Sequence, residues 1–146
     1  MIPRGQHVIL DFFECQCDLK YLEQVSQNTS LIEKLKPLFD VRETVPVQFE
    51  PTGYSFVLVL GESHISMHTW PEDKIVLIDL FTCNGKIPIE AIEAFEKFFQ
   101  PRLHSQVQVE RGKLSPAIES QTHTHWHSLL QPEAISDEND SLPVEV

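Results

Sequence analysis

The fold is decided by residues 54–81, which have the sequence YSFVLVLGESHISMHTWPEDKIVLIDLF. Apolar or alternating runs follow one another there with short polar breaks, and they are rich in β-branched and aromatic residues, which favour strands. We predict strands at Tyr54–Leu60, His64–Thr69 and Lys74–Phe81. This stretch therefore predicts the centre of a β-sheet.

Three further strands are predicted outside this stretch. The apolar run His7–Phe13 has the composition of a buried strand, and Ser105–Glu110 alternates as a half-exposed strand does. Val41–Phe49 is also predicted to be a strand. Pro46 indicates that this strand lies at a sheet edge or contains a bulge, because proline cannot donate a backbone hydrogen bond.

Three helices are predicted as well. The first begins at Leu19. The second follows Ser30, which with Glu33 matches a capping box. The third runs from Pro88, in the first helical position, to about Phe99.

The order of these elements is typical of an α+β fold, a two-layer α/β sandwich with helices on one face of a mainly antiparallel sheet. Residues 56–60, FVLVL, are apolar at every position, so we expect the other sheet face to pack against a second subunit. After residue 112 the composition changes to Ser, Thr, Pro, Asp and Glu. We expect one domain at residues 1–112 and a disordered tail at 113–146.

Charge and hydropathy argue against two classes of partner. The 146 residues include 22 acidic and 11 basic side chains, for a net charge of −11. This balance argues against nucleic acid, because phosphate binding needs clustered Lys and Arg. No apolar run approaches the length of a membrane-spanning helix and no secretion signal is found. We therefore expect no membrane contact and a cytoplasmic location.

The polar residues of GESHISMHTWPE, at 61–72, have two interpretations. On a strand, His64, Ser66 and His68 share one face while Ser63 points to the other. A Ser-His-Asp hydrolase is therefore not supported. By pattern alone, a polar sheet face with hydrogen-bonded histidines is the better interpretation, and acid–base chemistry by a histidine is the alternative.

Other reactive residues give weaker signals. Cys83 follows a predicted strand. It is either a small buried apolar residue or a proton donor. Cys15 and Cys17 have no second pair of cysteines with which to form a zinc site. An odd number of cysteines, three, in a sequence without a secretion signal indicates free thiols and not disulfides. HTHWH, at 123–127, has three alternating histidines but nothing to complete a coordination shell, so no metal site is predicted.

Two blocks, ESHISMHTWPE at 62–72 and IDLFTC at 78–83, closely resemble the prokaryotic S-adenosylmethionine decarboxylase proenzymes. HVILDFFECQ at 7–16 and FEPTGYS at 49–55 resemble the first strand and a turn of the same family. The resemblance covers about residues 6–111. It implies a two-layer protomer that dimerises to a four-layer αββα sandwich, with active sites built across the interface. After cleavage, the assembly contains two α and two β chains.

The resemblance also implies that the chain makes its own cofactor. The Ser63 hydroxyl attacks the carbonyl of Glu62, the chain breaks between them, and Ser63 becomes a pyruvoyl group that forms a Schiff base with the substrate amine. His68 matches the base of this processing reaction, and Ser55 matches a hydroxyl that assists it. Cys83 matches the proton donor of the decarboxylation.

The implied substrate is S-adenosylmethionine, whose decarboxylated form donates aminopropyl groups in spermidine and polyamine synthesis. Phe49 matches an aromatic that stacks on adenine, Glu72 matches a carboxylate that holds the ribose, and Trp70 lies in the same block. Phe56 replaces a small residue of the family and is expected to reshape the pocket. Two alternatives stay open: a decarboxylase of arginine or ornithine, and an uncleaved homologue without catalysis.

Overall fold

The computed structural model describes residues 2–83, residues 85–113 and the backbone of residues 125–128. A short 3₁₀ helix, Val25–Asn28, precedes the second α-helix. The remaining elements, in chain order, are β1 (Gly5–Phe13), α1 (Lys20–Glu23), α2 (Thr29–Leu35), β2 (Glu43–Gln48), β3 (Tyr54–Leu60), β4 (Ser63–Trp70), β5 (Ile75–Thr82), α3 (Ile89–Phe99), β6 (Leu103–Arg111) and β7 (His125–Ser128).

All seven strands form one antiparallel sheet in the order β2-β3-β4-β5-β1-β6-β7. The strands of residues 54–81, β3, β4 and β5, are adjacent in the sheet interior, and the middle three strands of the order are β4, β5 and β1. β2 is an edge strand, and Pro46 lies within it opposite Phe56, which agrees with the placement expected of proline. The predicted α+β fold with a mainly antiparallel sheet is confirmed.

The two faces of the sheet differ in burial. Side chains alternate strictly along β3 and β4, so that every second residue is buried. The buried set, including Leu58 and Ile65, forms one core with Leu35 of α2 and Phe95 of α3. We call this side the helix face. The opposite side, the open face, has half-exposed residues that include Val57 on β3.

Two helix starts differ from the sequence predictions. α3 begins at Ile89, and Pro88 has extended backbone (φ −60°, ψ 133°), so it precedes the helix instead of opening it. The capping box of Ser30 with Glu33 is wrong, because α2 begins at Thr29. The chain enters α2 directly from the 3₁₀ helix, without the extended cap residue that such a box requires.

Phe56 lies on the helix face and not on the open face, and the expectation that it reshapes the pocket stays a prediction. Its ring is buried on the helix face, where it stacks on Tyr54 with 6.4 Å between centroids and 11° between planes. The reason is the strand period of two, which sends Phe56 and its neighbour Ser55 to opposite faces. The substitution is therefore a change in the core.

β7 lies within the segment expected to be a disordered tail, and for these four residues that expectation is wrong. It pairs with β6, with Leu103 opposite Ser128 and Gln106 opposite His125. The physical reason is the outer edge of β6, which offers backbone groups that a short extended segment can pair. Residues 114–124 and 129–146 lie outside the described residues, so the expectation of disorder stays a prediction there. No helix in the described ranges is both long and apolar enough to cross a bilayer.

Candidate active site

Ser63, Glu62 and Cys83 meet at one end of β4. Ser63 is the first residue of β4, and Cys83 directly follows β5, which runs antiparallel beside it. The Cys83 N–H donates to Ser63 Oγ at 3.1 Å, and the two side chains are 3.5 Å apart, Oγ to Sγ. The Cys83 thiol also lies 3.6 Å from Glu62 Oε2. We call this cluster the cleavage end.

The cleavage end brings together a hydroxyl, a thiol and the peptide bond that joins Glu62 to Ser63. Ser63 is only 7% exposed and its hydroxyl is held on the helix face, as the alternation predicts. The peptide carbonyl of Glu62 directly precedes it, in an exposed turn that Gly61 opens with φ of +70°. This arrangement contains the groups needed for acyl transfer and proton donation, because a hydroxyl lies next to a carbonyl and in contact with a thiol.

A second cluster lies at the other end of the same strand. His68 on β4 is directly opposite Ser55 on β3, and both side chains are half-buried on the open face. Ser55 Oγ and His68 Nδ1 are 2.6 Å apart, a short hydrogen bond whose donor depends on the imidazole tautomer. The Trp70 ring lies 6.3 Å from the His68 ring, centroid to centroid. The hydroxyl orients the imidazole.

The residues that resemblance assigns to substrate binding lie at this same end. Phe49 directly follows β2 and is 43% exposed, and Trp70, at the end of β4, is 39% exposed. Glu72 lies in the exposed turn after β4. Exposed aromatic rings beside a carboxylate can contact a flat, cationic ligand. We call the group of Ser55, His68, Phe49, Trp70 and Glu72 the binding end.

Within one chain, the structure does not bring the two ends together. Ser63 and His68 are five positions apart on β4, which at about 3.3 Å per residue is about 16 Å. A general base must lie within about 3 Å of the proton it takes, or act through one water. Alternation also sends the two side chains to opposite faces. The His68 of one chain therefore cannot serve the Ser63 of that chain in this conformation.

The other two cysteines are separate from both clusters. Burial is the main reason that the pKa of Cys15 is raised to about 12 and that of Cys17 to about 11. The negative charge of Cys17 adds to the rise for Cys15, and that of Asp18 adds to the rise for Cys17. Cys15 belongs to the hydrophobic core, and Cys17 packs against it. Thiols with such pKa values stay protonated and weakly reactive at neutral pH. Both are structural.

Sequence reasoning missed two polar residues near the binding end. Thr69 is buried on the helix face, where its hydroxyl accepts the Tyr54 N–H at 3.0 Å and donates to the Leu22 carbonyl at 2.8 Å. The sequence contained a signal for Thr69, because the alternation along β4 assigns this polar residue to the buried helix face, where its hydroxyl needs a partner. Gln48, whose side chain makes several backbone contacts, had no signal, because glutamine on an exposed strand is ordinary.

The open face also has a polar centre that the pattern did not reveal. Asp79 on β5 contacts His7 Nε2 at 3.0 Å and accepts the Ser66 hydroxyl at 3.3 Å. These residues are half-buried in one chain. Among the residues that the structure describes, no three histidine, cysteine or carboxylate side chains cluster as metal ligands do.

Comparison with known proteins gives consistent matches. A family profile described as S-adenosylmethionine decarboxylase matches residues 6–112. The S-adenosylmethionine decarboxylase proenzyme of Clostridium botulinum (strain Loch Maree / Type A3) is 37% identical over 98 residues, which is 64% of this chain and 80% of that protein. The proenzyme of Clostridium kluyveri (strain ATCC 8527) is 28% identical over 116 residues, 79% of this chain and 92% of its own.

Solved structures agree. The crystal structure of adenosylmethionine decarboxylase from Aquifex aeolicus aligns with a TM-score of 0.69 and 26% identity, over 80% of this chain and 98% of that one. A Trypanosoma brucei AdoMetDC monomer aligns with a TM-score of 0.56 over 70% of this chain and 45% of its own, and its 16% identity supports the fold alone. The family profile covers well over half of the chain. The chain belongs to the S-adenosylmethionine decarboxylase family.

Proposed function

We propose that this protein is a pyruvoyl-dependent decarboxylase that acts on S-adenosylmethionine after cleaving itself between Glu62 and Ser63. The observation that carries the proposal is the environment of Ser63, whose hydroxyl lies within 3.5 Å of the Cys83 backbone N–H and thiol and directly follows the Glu62 carbonyl. Family membership supports it, since the relatives are named as decarboxylase proenzymes.

Cleavage needs only groups of the protein and one water molecule. Ser63 Oγ attacks the Glu62 carbonyl carbon, the C–N bond breaks, and an ester replaces the peptide. A base then removes the Ser63 Cα proton, and the Glu62 carboxylate leaves as the new C-terminus. The resulting dehydroalanine gains water and loses ammonia, which leaves a pyruvoyl group on the larger fragment. His68 is the proposed base and Ser55 orients its ring through the 2.6 Å contact.

The residues around Ser63 fit such a group. Cys83 offers two hydrogen-bond donors there, its N–H and its thiol. A bound pyruvoyl group supplies an electron sink of the kind that pyridoxal phosphate supplies elsewhere. In our proposal the Cys83 thiol delivers the proton that replaces the departing carboxylate of the substrate.

The binding end suits the proposed substrate. Phe49 would stack on the adenine, with Trp70 beside it, and Glu72 would accept the ribose hydroxyls. The net charge of −11 is compatible with a sulfonium cation. The product would be an aminopropyl donor for polyamine synthesis, and we assign the reaction to the cytoplasm.

The active unit in this proposal contains two copies of the chain. The distance of about 16 Å between Ser63 and His68 requires that the two ends come from different chains. Pairing through the open faces, with strands running in opposite directions, would bring the cleavage end of one copy to the binding end of the other. The partner's His68 would then approach the Cα of Ser63 from the face opposite its hydroxyl, and the Cα proton is the one that the proposed base removes. This pairing gives the four-layer αββα sandwich and covers Val57 and its half-exposed neighbours.

Mass measurement and a substrate assay test the proposal. The purified wild type should give two fragments, residues 1–62 and a larger one with the mass of a pyruvoyl cap. Ser63→Ala should stay intact, while the matched control Ser66→Ala, on the open face of the same strand, should cleave. A wild type that never cleaves would be the non-catalytic homologue. Carbon dioxide release is then compared for S-adenosylmethionine, arginine and ornithine, and release from an amino acid alone would refute the substrate assignment.

A further inference from the structure

We propose that Gln48 is a positioning residue for substrate binding, because its side-chain amide fixes the turn that carries Phe49. This inference rests on the proposed function, in which the Phe49 ring contacts the adenine. Gln48 is the last residue of β2, and Phe49 is the first residue of the turn that leads to β3. The side chain of Gln48 connects this turn to the segment between α1 and the 3₁₀ helix.

Three hydrogen bonds make the connection. Gln48 Nε2 donates to the Glu23 carbonyl at 2.7 Å and to the Gly53 carbonyl at 2.8 Å, which uses both amide hydrogens. A third carbonyl, that of Phe49, lies 3.4 Å from the same nitrogen. Gln48 Oε1 accepts the Val25 N–H at 3.0 Å. One side chain therefore holds the end of α1, the start of the 3₁₀ helix and the far side of the turn.

The Val25 contact compensates for a missing cap. Val25 is the first residue of the 3₁₀ helix, and its N-cap residue, Gln24, makes no side-chain cap hydrogen bond. The first N–H groups of a helix have no partner within the helix. Gln48 supplies that partner from a distant part of the chain, so the 3₁₀ helix and the turn are stabilised together.

The Phe49 turn depends on these polar contacts because apolar packing contributes little to it. Phe49 is 43% exposed, and all six residues of β2 are exposed. The turn has two further links, Phe49 N–H to the Gly53 carbonyl at 2.8 Å and Gly53 N–H to the Glu23 carbonyl at 3.2 Å. Both end on a carbonyl that Gln48 also contacts. Loss of the Gln48 amide would weaken the whole set.

An ordered turn affects binding more than chemistry. A cavity of about 380 Å³ lies against the turn and is lined by Glu23, Gln24, Ser26 and residues 48–52. Without the Gln48 contacts, the substrate would have to order Phe49 when it binds, and that entropy cost weakens affinity. The groups of the cleavage end lie at the other end of the sheet and would be unchanged. The expected signature is a higher KM with little change in kcat.

The test uses two variants at one position and a control. Gln48→Leu removes all three hydrogen bonds, and Gln48→Glu keeps an acceptor for Val25 but loses both donors. Gln108→Leu makes the same chemical change at an exposed position of β6. All three should cleave like the wild type. KM for S-adenosylmethionine should rise about tenfold in both Gln48 variants, kcat should stay within about threefold, and Gln108→Leu should match the wild type.

Amide hydrogen exchange gives a readout that needs no catalysis. In Gln48→Leu, exchange at Phe49, Gly53 and Val25 should be about tenfold faster. In Gln48→Glu, Val25 should keep its protection while Gly53 loses it. Unchanged exchange, or a fall in kcat with unchanged KM, would overturn the inference. A wild type without decarboxylation would refute the proposed function instead, and exchange would still decide whether Gln48 fixes the turn.

Discussion

Two inactive variants should restore cleavage when they are expressed together. Ser63→Ala removes the nucleophile at the cleavage end, and His68→Ala removes the proposed base at the binding end. Each alone should stay uncleaved. Because the two residues are about 16 Å apart in one chain, we propose that a cleavage-competent site takes Ser63 from one copy and His68 from another. In a mixed dimer, the His68→Ala chain has an intact Ser63 and faces an intact His68.

The expected yield follows from random pairing. With equal expression, half of all dimers are mixed, and one of the two chains in each mixed dimer can cleave, which gives about one quarter of all chains. Intact-mass spectrometry measures this fraction, because the cleavable chain differs in mass from the Ser63→Ala chain. Wild type mixed with Ser63→Ala is the positive control. No fragments from a mixture shown to contain mixed dimers would refute the assignment of the two ends to different chains.

Three further outcomes are expected. Ser55→Ala loses the 2.6 Å contact that orients His68, so the rate of cleavage after refolding should fall about tenfold or more; an unchanged rate would remove Ser55 from processing. Gly53→Ala should lower the free energy of unfolding by about 1–2 kcal/mol in urea titrations, since φ is +90° and the new Cβ would lie 3.3 Å from the Thr69 carbonyl; a neutral result would show that the turn adapts. The pKa of Cys15 is raised from 9.0 to about 12, so both states keep the proton below pH 9. Above pH 9 the thiol of Cys15 ionises in the unfolded state and not in the folded state, so the free energy of unfolding should fall as pH rises. The fall should be up to about 1.4 kcal/mol per pH unit steeper than in Cys15→Ala. Parallel pH profiles of the two proteins would contradict the raised pKa of Cys15.

Strand positions were predictable because burial alternates with a period of two in a sheet with one covered face. The runs Tyr54–Leu60 and Lys74–Phe81 therefore matched β3 and β5 within about one residue. The start of α2 was not predictable from Ser30, because a capping signal is local and the 3₁₀ helix before it forms through tertiary contacts. β7 was missed for a related reason, since a polar segment pairs only where another strand leaves an edge open.

For the candidate site, the sequence proposed residues but did not predict how they are arranged. The resemblance assigned roles to Ser63 and His68 without saying which chain supplies each. The five-residue spacing on a strand already contained that information, since it separates the two side chains in distance and in direction. The contact of Ser63 with Cys83 needed the register of β4 against β5, which no local pattern gives. Gln48 has no sequence signal because its partners are backbone atoms.

The edges of the sheet limit how copies can associate. One edge is β2, where Pro46 interrupts the row of donors, and the other is β7, which is only four residues long. Proline and short strands at an edge both prevent another molecule from extending a sheet. Among the described strands, both edges therefore hinder growth into open-ended fibres, which leaves the open face as the surface for the proposed association. A face can be covered once, so the proposed assembly through it would end at a finite, closed particle.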